Sequence, residues 1–435
     1  MNSVNSADHP WKSREKPKIA MVVPAFPSVS QTFIALQIAW LYKLGYDLRI
    51  VRMGAAGDER WIVDALRPVL DKIDIISLPY NNTNSIFKRI FYFLPVWAAN
   101  TRRMPAASFR VFLEKAMRLK LAEFVRIHND AHLFHLCGNA DILHFQFMTL
   151  ANRYTQMQGC GFVRRPAGIV CSVRGYDISR KAVLDEIDFR ALIQNVSLFL
   201  PVCEYFKKIL EKNGFQKTIR VVHSPVDTTR LCGQKKVKGQ KSSIKIVSVG
   251  RLVEKKGFDD AIKALSILRQ SYSDFHYTIV GEGPLRRMLS GTILEYGLSG
   301  QVALKGEMPS RETLDLIAAS DILIAPSKTA ADGEVEGIPN VLKEAMCLGL
   351  QVIATKHAGI PELIEHKVNG LLVSEGSPEE IAHALSELIH NRSDWAGRAE
   401  KASMTVSDQY SPDQTTRDLI DAYETILNAK ETKQP

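Results

Sequence analysis

Ser243-Ile244-Lys245-Ile246-Val247-Ser248-Val249-Gly250-Arg251-Leu252-Val253-Glu254-Lys255-Lys256-Gly257 decides how this chain is built. Ile244 to Val249 is a short, β-branched apolar run of the kind that forms a strand covered on both faces of a parallel sheet. It passes through Gly250 into a basic loop closed by Gly257, after which helical apolar spacing begins. Such a strand, loop and helix form half of a βαβ crossover, and this one starts directly behind a polar stretch. That stretch, Gly233 to Lys241, holds Lys235, Lys236, Lys238 and Lys241 and reads as a linker.

The same alternation occurs on both sides of the linker. Before it come the apolar runs Lys18 to Pro24, Asp47 to Met53, Ile73 to Leu78, Asp141 to Phe147, Gly168 to Val173 and Val196 to Val202. After it come Ile244 to Val249, Tyr277 to Val280, Val302 to Leu304, Asp321 to Ala325, Gln351 to Thr355 and Leu371 to Val373. Each leads into a helical or turn segment, so the expected class is α/β, with two doubly wound Rossmann-like domains in series. A chain of 435 residues is also too long for one ordinary core. The expected divisions are a polar tail at 1–17, a first domain at 18–232, the linker at 233–242, a second domain at 243–408 and a helical end at 409–435. The helix in that end, Pro412 to Lys430, is placed to pack across the domain interface.

An apolar content of 46% and a charged content of 24% describe a soluble globular protein. The tail lacks the apolar centre of a signal peptide, which points to the cytoplasm. Cys137, Cys160, Cys171, Cys203, Cys232 and Cys347 are scattered without a C-x-x-C pair, and read as reduced structural thiols rather than disulfide or zinc partners. The net charge of +9 is concentrated between Ile86 and Arg126, where nine basic residues face two acidic ones. Phe87, Phe91, Tyr92, Phe93, Trp97, Phe109 and Phe112 are interleaved with them. This segment, 86–126, reads either as a peripheral contact with an anionic membrane or as a solvated face over the core. Its apolar run Ile90 to Ala99 is far below the ~18 residues that span a bilayer. No stretch resembles a nucleic-acid recognition motif.

Ligands of parallel α/β sheets bind outside the carboxyl ends of the strands, so the loops after the strands carry the chemistry. Gly281-Glu282-Gly283 has Arg286 where a third glycine would complete a dinucleotide fingerprint, and no P-loop is present. Arg251 and Lys256, in a loop that Gly250 makes flexible, can grip and neutralise a leaving diphosphate without a metal ion. Gly281 and Gly283 either let backbone approach a base or ribose, or form a simple turn before Pro284. In Glu336-Gly337-Ile338-Pro339-Asn340-Val341-Leu342-Lys343-Glu344-Ala345-Met346, a helix is expected to open just after Glu336, with Gly337 as cap and Pro339 as first helical residue. Its free amides and partial positive charge suit a phosphate, and Glu336 and Glu344 suit sugar hydroxyls.

Taken in order, Gly250-Arg251-Leu252 with Lys256-Gly257, Val280 to Leu285, Pro326-Ser327 and Glu336 to Met346 resemble the signature of the retaining glycosyltransferases of family 4. The resemblance is dense from Ser243 to about Ile389 and weaker in the first half. It implies the GT-B fold, in which two Rossmann-like domains face an interdomain cleft, and a nucleotide-sugar donor used without metal or other cofactor. It further implies that Arg251 and Lys256 contact the diphosphate, Glu344 the ribose and Glu336 the donor sugar, with backbone at Gly337, Ile338, Pro339 and Asn340 near sugar and phosphate. Arg251, Lys256 and Glu336 are then the catalytic set.

The insert Lys328 to Val335, with Gly337-Ile338-Pro339-Asn340, is similar to the branch that builds exopolysaccharides such as colanic acid or amylovoran. So is Phe26 to Phe33, which resembles F-P-x-x-S-E-T-F with Gln31 in place of Glu. Arg174-Gly175-Tyr176-Asp177 resembles H-G-x-D with Arg in place of His, which leaves cation binding to an acceptor phosphate rather than a proton relay. Asp177 fixes either a sugar or the loop. His144 in Leu143 to Phe147 reads either as an acceptor contact or as a satisfied buried histidine. Gln31, His144, Arg174 and Asp177 form the candidate acceptor set, and His223 to Asp227 resembles the family's N-G-V-D turn between the domains. The activity implied is sugar transfer to a lipid-linked oligosaccharide at the inner face of the cytoplasmic membrane. Two alternatives stand beside it: another enzyme of the same fold, such as a sugar-nucleotide epimerase or a glycogen-type phosphorylase, and a non-catalytic membrane-surface protein. No lysine motif for the pyridoxal phosphate of a phosphorylase is present, and intact Arg251, Lys256, Glu336 and Glu344 argue for an enzyme.

Overall fold

Among the described residues, twelve short strands form two separate, entirely parallel six-stranded sheets. The first contains β1 Ile19–Val23, β2 Leu48–Arg52, β3 Asp74–Ile76, β4 Ile142–Phe145, β5 Gly168–Val173 and β6 Leu198–Pro201. The second contains β7 Ile244–Val249, β8 Phe275–Val280, β9 Val302–Gly306, β10 Ile322–Ala325, β11 Gln351–Thr355 and β12 Leu371–Val373. The computed structural model describes residues 16–27, 31–54, 64–77, 98, 121–137, 139–158, 166, 168–216, 218–232 and 243–431. The linker 233–242 and nearly all of the tail 1–17 lie outside the described residues. So does the basic aromatic segment 86–126, apart from Ala98 and 121–126. No helix among the described residues is long and apolar enough to cross a membrane.

The strand orders β3-β2-β1-β4-β5-β6 and β12-β11-β10-β7-β8-β9 are the same topology used twice. In each sheet the first strand of the domain lies beside the fourth, Ile19 opposite Ile142 and Ile246 opposite Ile322. The winding reverses there, and the loops after those strands diverge to leave a crevice at the carboxyl edge. Helices cover both faces, which is why Ile19 to Val23, Gly168 to Val173 and Gln351 to Thr355 are buried at every position.

Near its end the chain returns to the first domain. Helix α4, Pro378–His390, packs Ile381, Leu385 and Leu388 into the core of the second domain, and helix α5, Trp395–Tyr410, adds Ala402, Val406 and Tyr410. After Ser411, helix α6, Pro412–Glu431, adds Leu419, Ile420, Ala422, Tyr423 and Ile426 to the core of the first. Burying apolar side chains of this size stabilises by about 2 kcal/mol each. The return therefore holds the domains together independently of the linker. Trp40 Nε1 donates to Asp413 Oδ1 at 3.0 Å, fixing the start of α6 to α1, Thr32–Lys43.

The expectation of six thiols is corrected at one pair. Cys232, at the end of the segment leading out of the first domain, is disulfide-bonded to Cys347, with Cα atoms 4.5 Å apart. The two lie 115 residues apart in sequence, so only the fold makes them neighbours. Cys137, Cys171 and Cys203 are buried thiols, and Cys160 lies outside the described residues.

Gly257 closes the short 3₁₀ turn Glu254–Lys256 and starts α2, Phe258–Leu268, in a left-handed conformation with φ +62°. A Cβ there would fall 1.9 Å from the carbonyl oxygen of Pro326, in the loop after β10. Gly257→Ala is therefore expected to lower the urea midpoint by the equivalent of about 2 kcal/mol or more. Gly291→Ala, in open space on a helix, is expected to leave it unchanged or slightly raised.

Candidate active site

The carboxyl edges of the two sheets face each other across a cleft of about 540 Å³. The first domain lines it with Gln31 and Phe33 after β1, Phe147 after β4, Arg174 and Tyr176 after β5, and Val202 after β6. The second lines it with Gly250, Arg251, Lys255 and Lys256 after β7, and with Glu334 and 336–341 after β10.

A charge cluster forms the second domain's side of this cleft. Lys256 Nζ lies 2.9 Å from Glu336 Oε2, and Lys255 Nζ lies 2.7 Å from Glu334 Oε1 and 3.8 Å from Glu336 Oε2. Arg251 reaches Glu334 at 3.8 Å, but its side chain is 62% exposed and opens into the cleft. Burial works to raise the Glu336 carboxyl pKa, yet the charges of Lys256 and then Lys255 outweigh it and hold it down at about 2. The carboxylate stays ionised, and the cluster contains three cations against two anions. Lys255 escaped the sequence reading because consecutive lysines normally diverge. The 3₁₀ turn brings both ammonium groups onto the carboxylates, and the one visible signal is the bend forced by Gly257.

Helix α3 spans Asn340–Cys347, so it opens later than expected, with Pro339 as an extended cap residue (φ −59°, ψ 128°) rather than the first helical one. The preceding residues are held out of the helix by the first domain. A Cβ on Gly337 would meet Phe206 Cε2 at 3.0 Å and Val202 Cγ2 at 3.4 Å, which is the close approach that requires glycine. Pro339, Asn340 and Val341 line the cleft, and no side chain caps the helix start.

Glu344 does not line the cleft that holds Glu336. It opens onto a second cavity of about 170 Å³ beside Thr32, Asp227, Arg230 and Arg311. Burial raises its carboxyl to about 7 against the opposing charge of Lys343. Lys343 is itself lowered to about 7 by burial, and its Nζ donates to the Ser224 carbonyl at 2.6 Å.

The remaining candidate residues differ in what they already touch. Gly281 and Gly283 serve loop packing: a Cβ on either would fall within 2.5 Å of the Gly250 or Leu252 carbonyl oxygen. His144 is fully buried outside the cleft, with Nδ1 2.7 Å from the Tyr423 hydroxyl and Nε2 2.8 Å from Ser172 Oγ. It is a satisfied core histidine, held neutral by burial and by Arg174, which lower its pKa to about 3. Asp177 is buried and accepts from the backbone N–H groups of Met148, Arg174 and Gly175, so it shapes the loop. Arg174 does face the cleft, but its guanidinium already donates to the carbonyl and side-chain oxygens of Gln146 and to Ser224 Oγ. Gln31 lines the cleft, and its Oε1 is buried without a hydrogen-bond partner among the described residues.

A family model described as glycosyl transferases group 1 matches residues 234–404, which hold the whole charge cluster. This chain is a glycosyltransferase with a group 1 domain. Its relatives include the amylovoran biosynthesis glycosyltransferase AmsK of Erwinia amylovora, 29% identical over 94% of this chain and 100% of that one. They also include the putative colanic acid biosynthesis glycosyltransferase WcaL of Escherichia coli K12, 29% identical over 85% and 90%. Anabaena HepE shares the fold, with a TM-score of 0.68 at 17% identity over 94% of this chain and 100% of that one. The two facing sheets are those of GT-B glycosyltransferases.

In this glycosyltransferase the insert 328–335 spans the cleft's rim. Lys328 Nζ is 2.9 Å from both Asp259 and Asp260 at its base. At its tip Asp332 pairs with Arg180 at 2.9 Å, and the Val335 N–H donates to Ser179 Oγ at 3.1 Å. The depressed Glu336 pKa contributes stability that is fully present above the ordinary carboxyl value of 4.5 and is lost as pH falls towards 2. Urea titrations from pH 6 to pH 2 should therefore show an acid-side loss in the wild type that is smaller in Glu336→Gln.

Proposed function

We propose that this glycosyltransferase moves a sugar from a nucleotide-diphosphate sugar to a hydroxyl of an oligosaccharide in exopolysaccharide assembly, with retention of the anomeric configuration. The observation that carries this reading is the convergence of Arg251, Lys255, Lys256 and Glu336 in one cleft at the carboxyl edges of both sheets. A diphosphate needs several cations in a partly desolvated place, and a sugar needs an ionised acceptor. HepE was crystallised with UDP and glucose, and AmsK and WcaL are named for amylovoran and colanic acid, which supports the donor class and the product class.

In this reading Arg251 and Lys256 grip the diphosphate, and its oxygens take the place of Glu334 on Arg251 and Lys255. Glu336 accepts from donor-sugar hydroxyls, and the backbone N–H groups of Gly337, Ile338 and Asn340 serve sugar and phosphate. Glu344 takes the ribose from the cavity farther along α3. The acceptor hydroxyl forms its bond to C1 on the face where the C1–O bond to the diphosphate breaks. The electron pair of that bond leaves with the diphosphate, which the cations stabilise, and the hydroxyl proton passes to the departing oxygen beside it. Gln31, Arg174 and Tyr176 form the acceptor side. The cations do the neutralising that a divalent metal would otherwise do, so transfer should persist in EDTA.

Arg251→Ala is expected to lower transfer by about 100-fold or more with the circular dichroism spectrum unchanged; near-normal turnover would remove Arg251 from the mechanism. A thermal-shift panel of sugar nucleotides should identify the donor, since a ligand of the native state raises the midpoint with occupancy. The acceptor is read as lipid-linked and the enzyme as peripheral on the inner face of the membrane, through the basic aromatic segment 86–126. Flotation with vesicles should then depend on anionic lipid and weaken with salt, whereas binding indifferent to lipid charge would exclude this attachment.

A further inference from the structure

Behind the cleft, His357 follows β11 and Glu375 follows β12, and neither lines the cleft. Both are directed at the loop that carries Glu336. The backbone N–H of Glu336 donates to His357 Nε2 at 2.9 Å. A backbone amide can only donate, so Nε2 carries no proton and the ring's proton sits on Nδ1. Nδ1 lies 2.7 Å from Glu375 Oε1 and donates to it. The other oxygen of Glu375 accepts from the backbone N–H of Thr329 at 2.9 Å and from its hydroxyl at 3.3 Å. One imidazole and one carboxylate thus hold the chain at Thr329, near the start of the insert, and at Glu336, just after it.

The clamp matters because of what pulls on the adjacent residue. The Val335 amide is bound to Ser179 of the first domain, and the Val335 side chain is buried in that domain's core. The next amide, that of Glu336, is bound to His357 of the second domain. Val335 and Gly337 are thus held against the first domain, while the Glu336 amide between them is held to the second. Without the His357 acceptor, the backbone of Glu336 would follow the first domain, and its carboxylate would leave Lys256. His357 is 1% exposed, so its ring has no alternative orientation that solvent would satisfy.

We infer that His357 and Glu375 are positioning residues for Glu336: they hold its backbone to the second domain, so that its carboxylate meets Lys256 and the donor sugar. This rests on the reading of Glu336 as the sugar contact.

The test compares the affinities of UDP-glucose and UDP, with GDP-mannose and GDP as a second pair, by calorimetry on the full chain. In His357→Phe the sugar nucleotide should weaken about tenfold while the free diphosphate changes less than about twofold. His357→Gln, whose side-chain oxygen can accept the Glu336 amide, should recover most of that loss. Glu375→Ala, at a residue open enough to solvent to keep the fold, should lose about threefold on the sugar nucleotide alone. Equal losses on both ligands, or no recovery in His357→Gln, would show that the pair only stabilises the loop and overturn the inference. Glu336→Gln separates the two claims. If it leaves the ratio of the two affinities unchanged, the sugar-contact reading fails and the inference with it; if it shifts the ratio but His357→Phe does not, the inference alone fails.

Discussion

A carboxylate removed from water must be paired, and the pairing of Glu336 with Lys256 at 2.9 Å is the constraint around which the cleft is organised. Satisfying it requires the loop after β7 and the loop after β10 to meet, which the neighbouring positions of those strands provide. Lys255 and Glu334 extend the pair into a cluster with an excess of positive charge, and Arg251 leaves its guanidinium open towards solvent. Each carboxylate of the cluster is paired with a cation, and the excess positive charge faces the cleft, where it attracts a polyanion.

The domains meet through more than one kind of contact, each set by a different part of the chain. The apolar face of α6 fills the first core from the far end of the sequence. The carboxylate of Glu362 accepts from the backbone N–H groups of Glu204 and Tyr205 at 2.8 and 2.9 Å, supplying from the second domain the cap that a first-domain helix lacks. Lys343 donates across to the Ser224 carbonyl, and Asp332 pairs with Arg180. These polar contacts surround the cleft, so the relative position of the two sheets and the geometry of the site are one property.

The strands were legible because burial on both faces demands continuous apolar runs, and their starts and ends agree with the sequence to within a few residues. Arg251 and Lys256 were legible because they follow a strand end, Glu336 because it precedes a helix start, and the three as a set through the family resemblance. The start of α3 was not, since local propensity favoured Pro339 as a first helical residue while contact of Gly337 with Phe206 keeps the chain extended. Their motifs left His144 and Asp177 open between a ligand contact and a structural role. In the fold Tyr423, from a helix 279 residues away, takes the His144 ring, and three backbone amides take the Asp177 carboxylate.

Two parallel α/β domains, the loops that would carry the chemistry, and the cationic and acidic residues those loops hold can be read from the chain alone, because strand periodicity and loop composition are local properties. Folding alone brings Lys255 into the cluster, opens Glu344 onto a different cavity, joins Cys232 to Cys347 and sets His357 against the Glu336 amide. Each of these depends on which side chain satisfies a buried polar or reactive group, and the partner comes from whichever distant segment the packing brings within hydrogen-bond reach.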